Sequence, residues 1–103
     1  MGKLEKIEEM LRDEPGDTFL LYSRGLELLK LGRATDGLAQ LRELIASQPD
    51  YVPAYFRLGQ ALVEDDQIPE AREALEAGIV VGRRVGDQHA VGEMSTFLDT
   101  LND

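Results

Sequence analysis

Few side chains in this 103-residue chain have the types and spacing for chemistry. His89 is the only histidine and there is no cysteine, which excludes disulfides, thiolate metal ligands and a Cys–His nucleophile. No serine lies in a nucleophile-elbow sequence. Carboxylates are plentiful, with pairs at Glu8-Glu9, Asp65-Asp66 and Glu73/Glu76. Acid–base catalysis, however, needs two such groups in a cleft whose surroundings drive their pKa values apart. These pairs read instead as solvated charges on helices and turns. Glu64-Asp65-Asp66 lacks the glycine-bearing loop and further oxygen ligands of a calcium hand. Arg83-Arg84 offers an anion contact, but a position late in a helix favours cations in any case. His89, near the start of the last helix, reads as solvent-facing. The expectation is no catalytic residue, no metal site and no cofactor.

The elements that would position these groups are helices. Residues 3–13 place Leu4, Ile7, Met10 and Leu11 on one face, and Glu14-Pro15-Gly16-Asp17 ends that helix with a breaker and a flexible residue. A second helix spans 18–31 and stops at Gly32, and a third opens at Thr35 or a neighbour and runs to about Ser47 through Leu38, Leu41, Leu44 and Ile45. Pro49 cannot continue a helix, Asp50 can accept hydrogen bonds from the first N–H groups of the next one, and Pro53 fits only in its first turn. Tyr55, Leu58 and Leu62 then share a face, and Gly59 sits where another backbone is expected to come close. The fourth helix runs from Val52 to Glu64. A fifth starts near Pro69, carries Ala71, Leu75, Ile79 and Val80, and extends past the length of its counterpart. Gly82–Asp87 is the expected last connector, and a final helix over 88–101 aligns Val91, Met94, Phe97, Leu98 and Leu101, with Glu93, Thr96 and Asp99 outside. No segment alternates with period two.

Sliding the sequence by 34 residues superimposes Leu4 on Leu38, Pro15 on Pro49, Gly25 on Gly59, Leu28 on Leu62, Leu41 on Leu75 and Ile45 on Ile79. Tyr22 meets Phe56, and Asp36 meets Glu70. A fixed period of this length marks a helical repeat array. The motif Tyr55-x-x-Leu58-Gly59-x-x-Leu62, followed by Ala71-x-x-x-Leu75-x-x-Gly78, resembles the tetratricopeptide repeat (TPR). The first repeat is looser: Arg24 and Leu44 stand where the family prefers Leu and Ala, and Arg83 stands where a closing Pro is expected after the second repeat. The resemblance implies an all-α, TPR-like alpha-alpha superhelix forming a single domain. It comprises a half-repeat helix (3–13), repeat 1 (18–48), repeat 2 (52–82) and a capping helix (88–101).

In that family the first helix of each repeat lines a concave groove. Carried over, the ligand-facing positions are Phe19, Tyr22, Leu26, Leu29 and Lys30 in repeat 1. In repeat 2 they are Pro53, Phe56, Gln60, Val63 and Glu64, with Arg57 nearby. Tyr22 and Phe56 replace the lysine-like position, and Leu26 and Gln60 the asparagine, of the TPR subfamily that grips a peptide's C-terminal carboxylate. That mode of chaperone-tail binding is therefore not expected here. The resemblance implies a non-catalytic protein–protein interaction module taking a peptide or amphipathic helix in an apolar groove. Two other readings stay open: Tyr22, Leu26 and Phe56 as core, packed on a neighbouring helix or covered by the terminal one, and a small assembly protein that homodimerises through the same surface.

Composition agrees with a globular helical chain. It is 43% hydrophobic and 30% charged, with a net charge of −9. That charge opposes nonspecific nucleic-acid binding and, weakly, favours basic partners. No apolar run approaches the ~20 residues of a membrane span, and no signal peptide is recognised. Met1-Gly2 begins like a myristoylation site, but Lys6 and Ile7 stand where Ser or Thr would be needed. A cytoplasmic location is expected, with neither membrane nor nucleic acid as partner.

Overall fold

The computed structural model describes residues 2–102, which form six α-helices and no strand. The chain divides into two compact units, one ending at Gln48 and the other beginning at Pro49. The first holds α1 (Lys3–Asp13), α2 (Thr18–Lys30) and α3 (Ala34–Ser47). There α2 packs on α3, and α1 on α2. The second holds α4 (Val52–Glu64), α5 (Ile68–Val85) and α6 (Gln88–Asp99), with α5 against both others and α6 also touching α4.

The 34-residue period reappears in the backbone. Glu14 and Gln48 end α1 and α3 at φ/ψ of −132/69° and −133/72°, each just before a proline whose ring bars its predecessor from the helical region. No proline occupies position 83, and α5 continues to Val85. Gly82, Arg83, Arg84 and Val85, expected in the last connector, therefore belong to α5. The chain turns only at Gly86, in the left-handed region at φ 79°.

The bend between the two helices of each repeat is also shared. After α2, Gly32 takes φ 79°, and the N–H of Arg33 reaches the Leu28 carbonyl at 2.9 Å. After α4, Asp66 takes φ 60°, and the N–H of Gln67 reaches the Leu62 carbonyl at 2.8 Å. This paired closure satisfies the last carbonyls of a helix and demands a left-handed residue, a conformation that burdens Asp66 but not Gly32.

Helix starts are less uniform. Asp17 and Asp87 cap α2 and α6 by accepting from the N–H of Leu20 (2.9 Å) and Ala90 (3.1 Å). Asp50 does not cap α4: the flanking residue is Tyr51, whose side chain makes no capping bond, and the Asp50 carboxylate pairs with Arg84 of α5. Pro53 lies in the first turn of α4, where its missing N–H costs nothing.

The cores differ. The second unit buries Val52, Ala54, Tyr55, Leu58, Ala61 and Leu62 from α4 against Ala71, Leu75 and Ile79 from α5 and Val91 and Met94 from α6. Gly59 is required by a side chain rather than a backbone, since a Cβ there would lie 2.6 Å from Leu75 Cδ2. In the first unit the buried apolar residues are Ile7, Leu28, Leu38, Leu41 and Leu44, joined by the buried polar residues Glu27 and Gln40. Met10 and Val80, expected on inner faces, are 49% and 61% exposed.

Candidate functional site

Of the carried-over positions on α2, Phe19 is 68% exposed and Lys30 is exposed, whereas Tyr22, Leu26 and Leu29 are half-buried. Leu29 turns toward α3: a Cβ at Gly37 would lie 2.7 Å from its Cδ2, so its side chain already fills the space over that glycine. Phe19 borders a hollow of about 340 Å³ at the α1–α2 turn, with Met10 and the carboxylates of Asp13, Glu14 and Asp17 around it.

The same helix carries a polar network. Arg24 donates from Nε to Glu8 Oε2 at 3.0 Å and from Nη1 to Gln40 Oε1 at 2.7 Å, linking α1, α2 and α3. Glu27, with its side chain 10% exposed, has Lys3 Nζ 3.9 Å away. Among the described residues no buried side-chain nitrogen or oxygen lacks a partner. Arg24, standing where the repeat pattern prefers leucine, thus acts as a cross-link rather than a ligand-facing cation.

On α4 the matched positions Phe56, Arg57, Gln60 and Val63 are all half-buried. Arg57 Nη1 donates to Gln60 Oε1 at 2.8 Å, so these two orient each other. The Phe56 ring meets Phe97 of α6 edge-on, with centroids 6.0 Å apart and planes at 68°, an attractive aromatic geometry. The terminal helix therefore covers part of Phe56, one of the alternatives left open by the sequence. Between the two rings and the outer side of α6 lies an open hollow of about 680 Å³, lined also by His89, Gly92, Glu93 and Thr96. Sequence reasoning placed Glu93 and Thr96 simply in water. The signal that escaped it is Gly92, a glycine inside a helix.

Burial pushes the phenols of Tyr51 and Tyr55 up. The Tyr55 hydroxyl donates to the Pro49 carbonyl at 2.6 Å, a structural tie between α4 and the turn preceding it. His89 lies 3.3 Å from Glu93, its side chain 87% exposed. Arg84 is held by Asp50 rather than left for an anion. No cluster of three or more potential metal ligands occurs among the described residues, and no helix there is long and apolar enough to cross a membrane.

Helix pairs that recur with a 34-residue period define a tetratricopeptide-repeat protein. The chain belongs to this family: the tetratricopeptide-repeat family model matches residues 28–83. It is similar to a TPR-repeat-containing protein of Pseudomonas aeruginosa, 28% identical over 99 residues that cover 96% of this chain and 94% of the relative. Among solved structures, a tetratricopeptide repeat domain protein from Salinibacter ruber is 32% identical with a TM-score of 0.82, covering 85% of this chain and 89% of that one. The TPR2B domain of yeast Sti1, determined as a complex with pHsp70, shares the fold at a TM-score of 0.87 and 22% identity, covering 95% of this chain and 78% of that one. The fold is that of a protein–protein interaction module, and domains of this family are in general not catalytic.

Proposed function

We propose that the chain is a non-catalytic module that binds a peptide or helix of another protein through the side chains that α2 and α4 present at repeat-matched positions. One observation carries this reading. Tyr22, Leu26 and Leu29, like their counterparts Phe56, Gln60 and Val63, are all half-buried, while Leu28 and Leu62 beside them are fully buried. Both repeats thus keep a partly open face of aromatic and aliphatic character beside a closed one. Helices held by buried leucines would present such a face preformed, so that binding orders mainly the ligand.

The test is a titration of isotope-labelled protein, followed by NMR, with peptides selected from a random array. Shifts should fall on Tyr22, Leu26, Phe56 and Gln60. The double variant Tyr22→Ala/Phe56→Ala should weaken binding at least tenfold while helicity by circular dichroism is kept. If those side chains act as core instead, the double variant should lose ~3 kcal/mol or more of stability. A failure of every selected peptide to bind would sink the module reading. A concentration-dependent dimer burying the same residues would put self-association in its place.

A further inference from the structure

The mid-helix glycines have unequal reasons to exist. A Cβ at Gly25, Gly37, Gly59, Gly78 or Gly82 would come within 3.1 Å of another side chain, so at each a larger residue would press on a neighbour inside its own unit. Gly92 is different. It lies inside α6 with ordinary helical geometry, is exposed, and a Cβ there would meet nothing within 4 Å. Glycine in an exposed helix interior weakens the helix, and here no intramolecular contact requires it. What it does is open the hollow beside the Phe56–Phe97 pair. Without a Cβ at this position the backbone of α6 is open to close approach by a group from outside the chain.

The charge of the second half of the chain is one-sided. From Pro49 onward the sequence holds four arginines, no lysine and eleven carboxylate side chains, and after Arg84 there is neither lysine nor arginine. Of the four arginines, Arg57 is bonded to Gln60, Arg72 to Asn102 and the Leu101 carbonyl, and Arg84 to Asp50. No lining residue of the hollow is lysine or arginine, and Glu93 stands on its rim.

We infer that the hollow between α4 and the outer face of α6 receives a cationic segment of a partner protein, an apolar anchor entering over Gly92 against Phe56 and Phe97 with flanking Lys or Arg beside Glu93. The apolar floor supplies affinity, and the acidic field supplies selection and a faster encounter. This inference rests on the interaction-module reading and adds to it a place and a partner chemistry.

The test uses two 16-residue helical probe peptides with the same Leu/Phe stripe, one carrying lysine and the other glutamate at the flanking positions. Three proteins are compared: the wild type, Gly92→Arg, which fills the hollow and adds a cation, and Ala77→Arg, which adds the same charge on exposed α5 surface away from it. The lysine probe should bind the wild type at least tenfold tighter than the glutamate probe, weaken with salt, and shift the amides of Gly92, Thr96 and Phe97. Gly92→Arg should lose at least tenfold in affinity without a lower Tm, whereas Ala77→Arg should stay within about twofold. Equal binding of both probes, an unaffected Gly92→Arg protein, shifts confined to α2, or no binding of the lysine probe would each overturn the inference. Tight binding of the glutamate probe on the α2 or α4 face would do so while leaving the interaction module standing.

Discussion

The two repeats solve the same packing problem with different chemistry. Where repeat 2 places Leu58, Ala61 and Ala74, repeat 1 places Arg24, Glu27 and Gln40 at the positions 34 residues earlier. In the second unit Leu58 and Ala61 are buried and no hydrogen bond is needed. In the first, Arg24 bridges Glu8 and Gln40, and buried Glu27 sits beside Lys3. Volume is exchanged too. Repeat 1 has Leu21 and a fully buried Leu44 at the positions where repeat 2 has Tyr55 and Gly78, and a Cβ on Gly78 would lie 2.6 Å from Tyr55 Cβ and 2.6 Å from Met94 Sδ. A repeat therefore conserves a backbone path and a filled volume while leaving open which side chains fill it.

The largest expected effect tests the volume exchange. Leu44→Ala should cost about 2–5 kcal/mol by leaving a cavity, and Gly78→Ala about 1–3 kcal/mol by overpacking against Tyr55, both read from urea unfolding. Comparable tolerance of alanine at position 78 would mean that α5 and α6 yield more readily than the distances suggest.

Next comes the network. Arg24→Leu, which makes repeat 1 resemble repeat 2, should lose roughly 1–3 kcal/mol because buried Gln40 keeps its oxygen but loses its donor. Adding Gln40→Ala, the counterpart of Ala74, should recover much of that loss, since removing both partners leaves nothing buried and unpaired. A double-mutant cycle on thermal unfolding gives the coupling directly, and a cycle summing to zero would show that the bond contributes nothing.

A smaller gain is expected at the bend. Asp66→Gly, copying Gly32, should stabilise by about 1 kcal/mol by relieving the left-handed strain, and Gly32→Asp should cost a similar amount. Unchanged midpoints in guanidinium would remove the strain argument.

The smallest effect separates Tyr55 from its counterpart Leu21. Burial raises the Tyr55 phenol above its usual 10.0, so the fold favours the neutral form. That stability is fully present below pH 10 and falls as pH rises through the shifted value. Tyr55→Phe should cost about 1 kcal/mol at neutral pH through the lost bond to the Pro49 carbonyl. It should also flatten the alkaline part of the stability–pH curve, while the contribution of Tyr51 remains. An unchanged alkaline slope would show that Tyr55 does not carry this dependence.

Much of the fold was legible because its signals are local. Pro15 and Pro49 stop helices through a clash with the preceding residue, and the helices begin and end within a residue or two of where caps and breakers put them, except α5, which runs on through Gly82–Val85. The site was legible only in part. Tyr22, Leu26, Phe56 and Gln60 were assigned as candidates by the family's register alone, and register cannot say that Leu29 leans on Gly37 or that Phe97 covers an edge of Phe56. Asp50 illustrates the limit: by type and position it suits a helix cap, yet Arg84, 34 residues on, takes its carboxylate.

From the sequence alone came the 34-residue period, the all-α class, the helix bounds other than the end of α5, and the lack of any thiol or second histidine. These depend on backbone preferences and on which residues recur every few positions, and both are written within a turn or two of chain. Tertiary structure alone decided that Arg24 would be a cross-link, that Asp66 would take a left-handed turn and that Gly92 would open a hollow instead of seating a neighbour. Each of these depends on how one helix is rotated about its axis against the next. That angle is settled by the joint packing of side chains far apart in the chain, and no local stretch carries it.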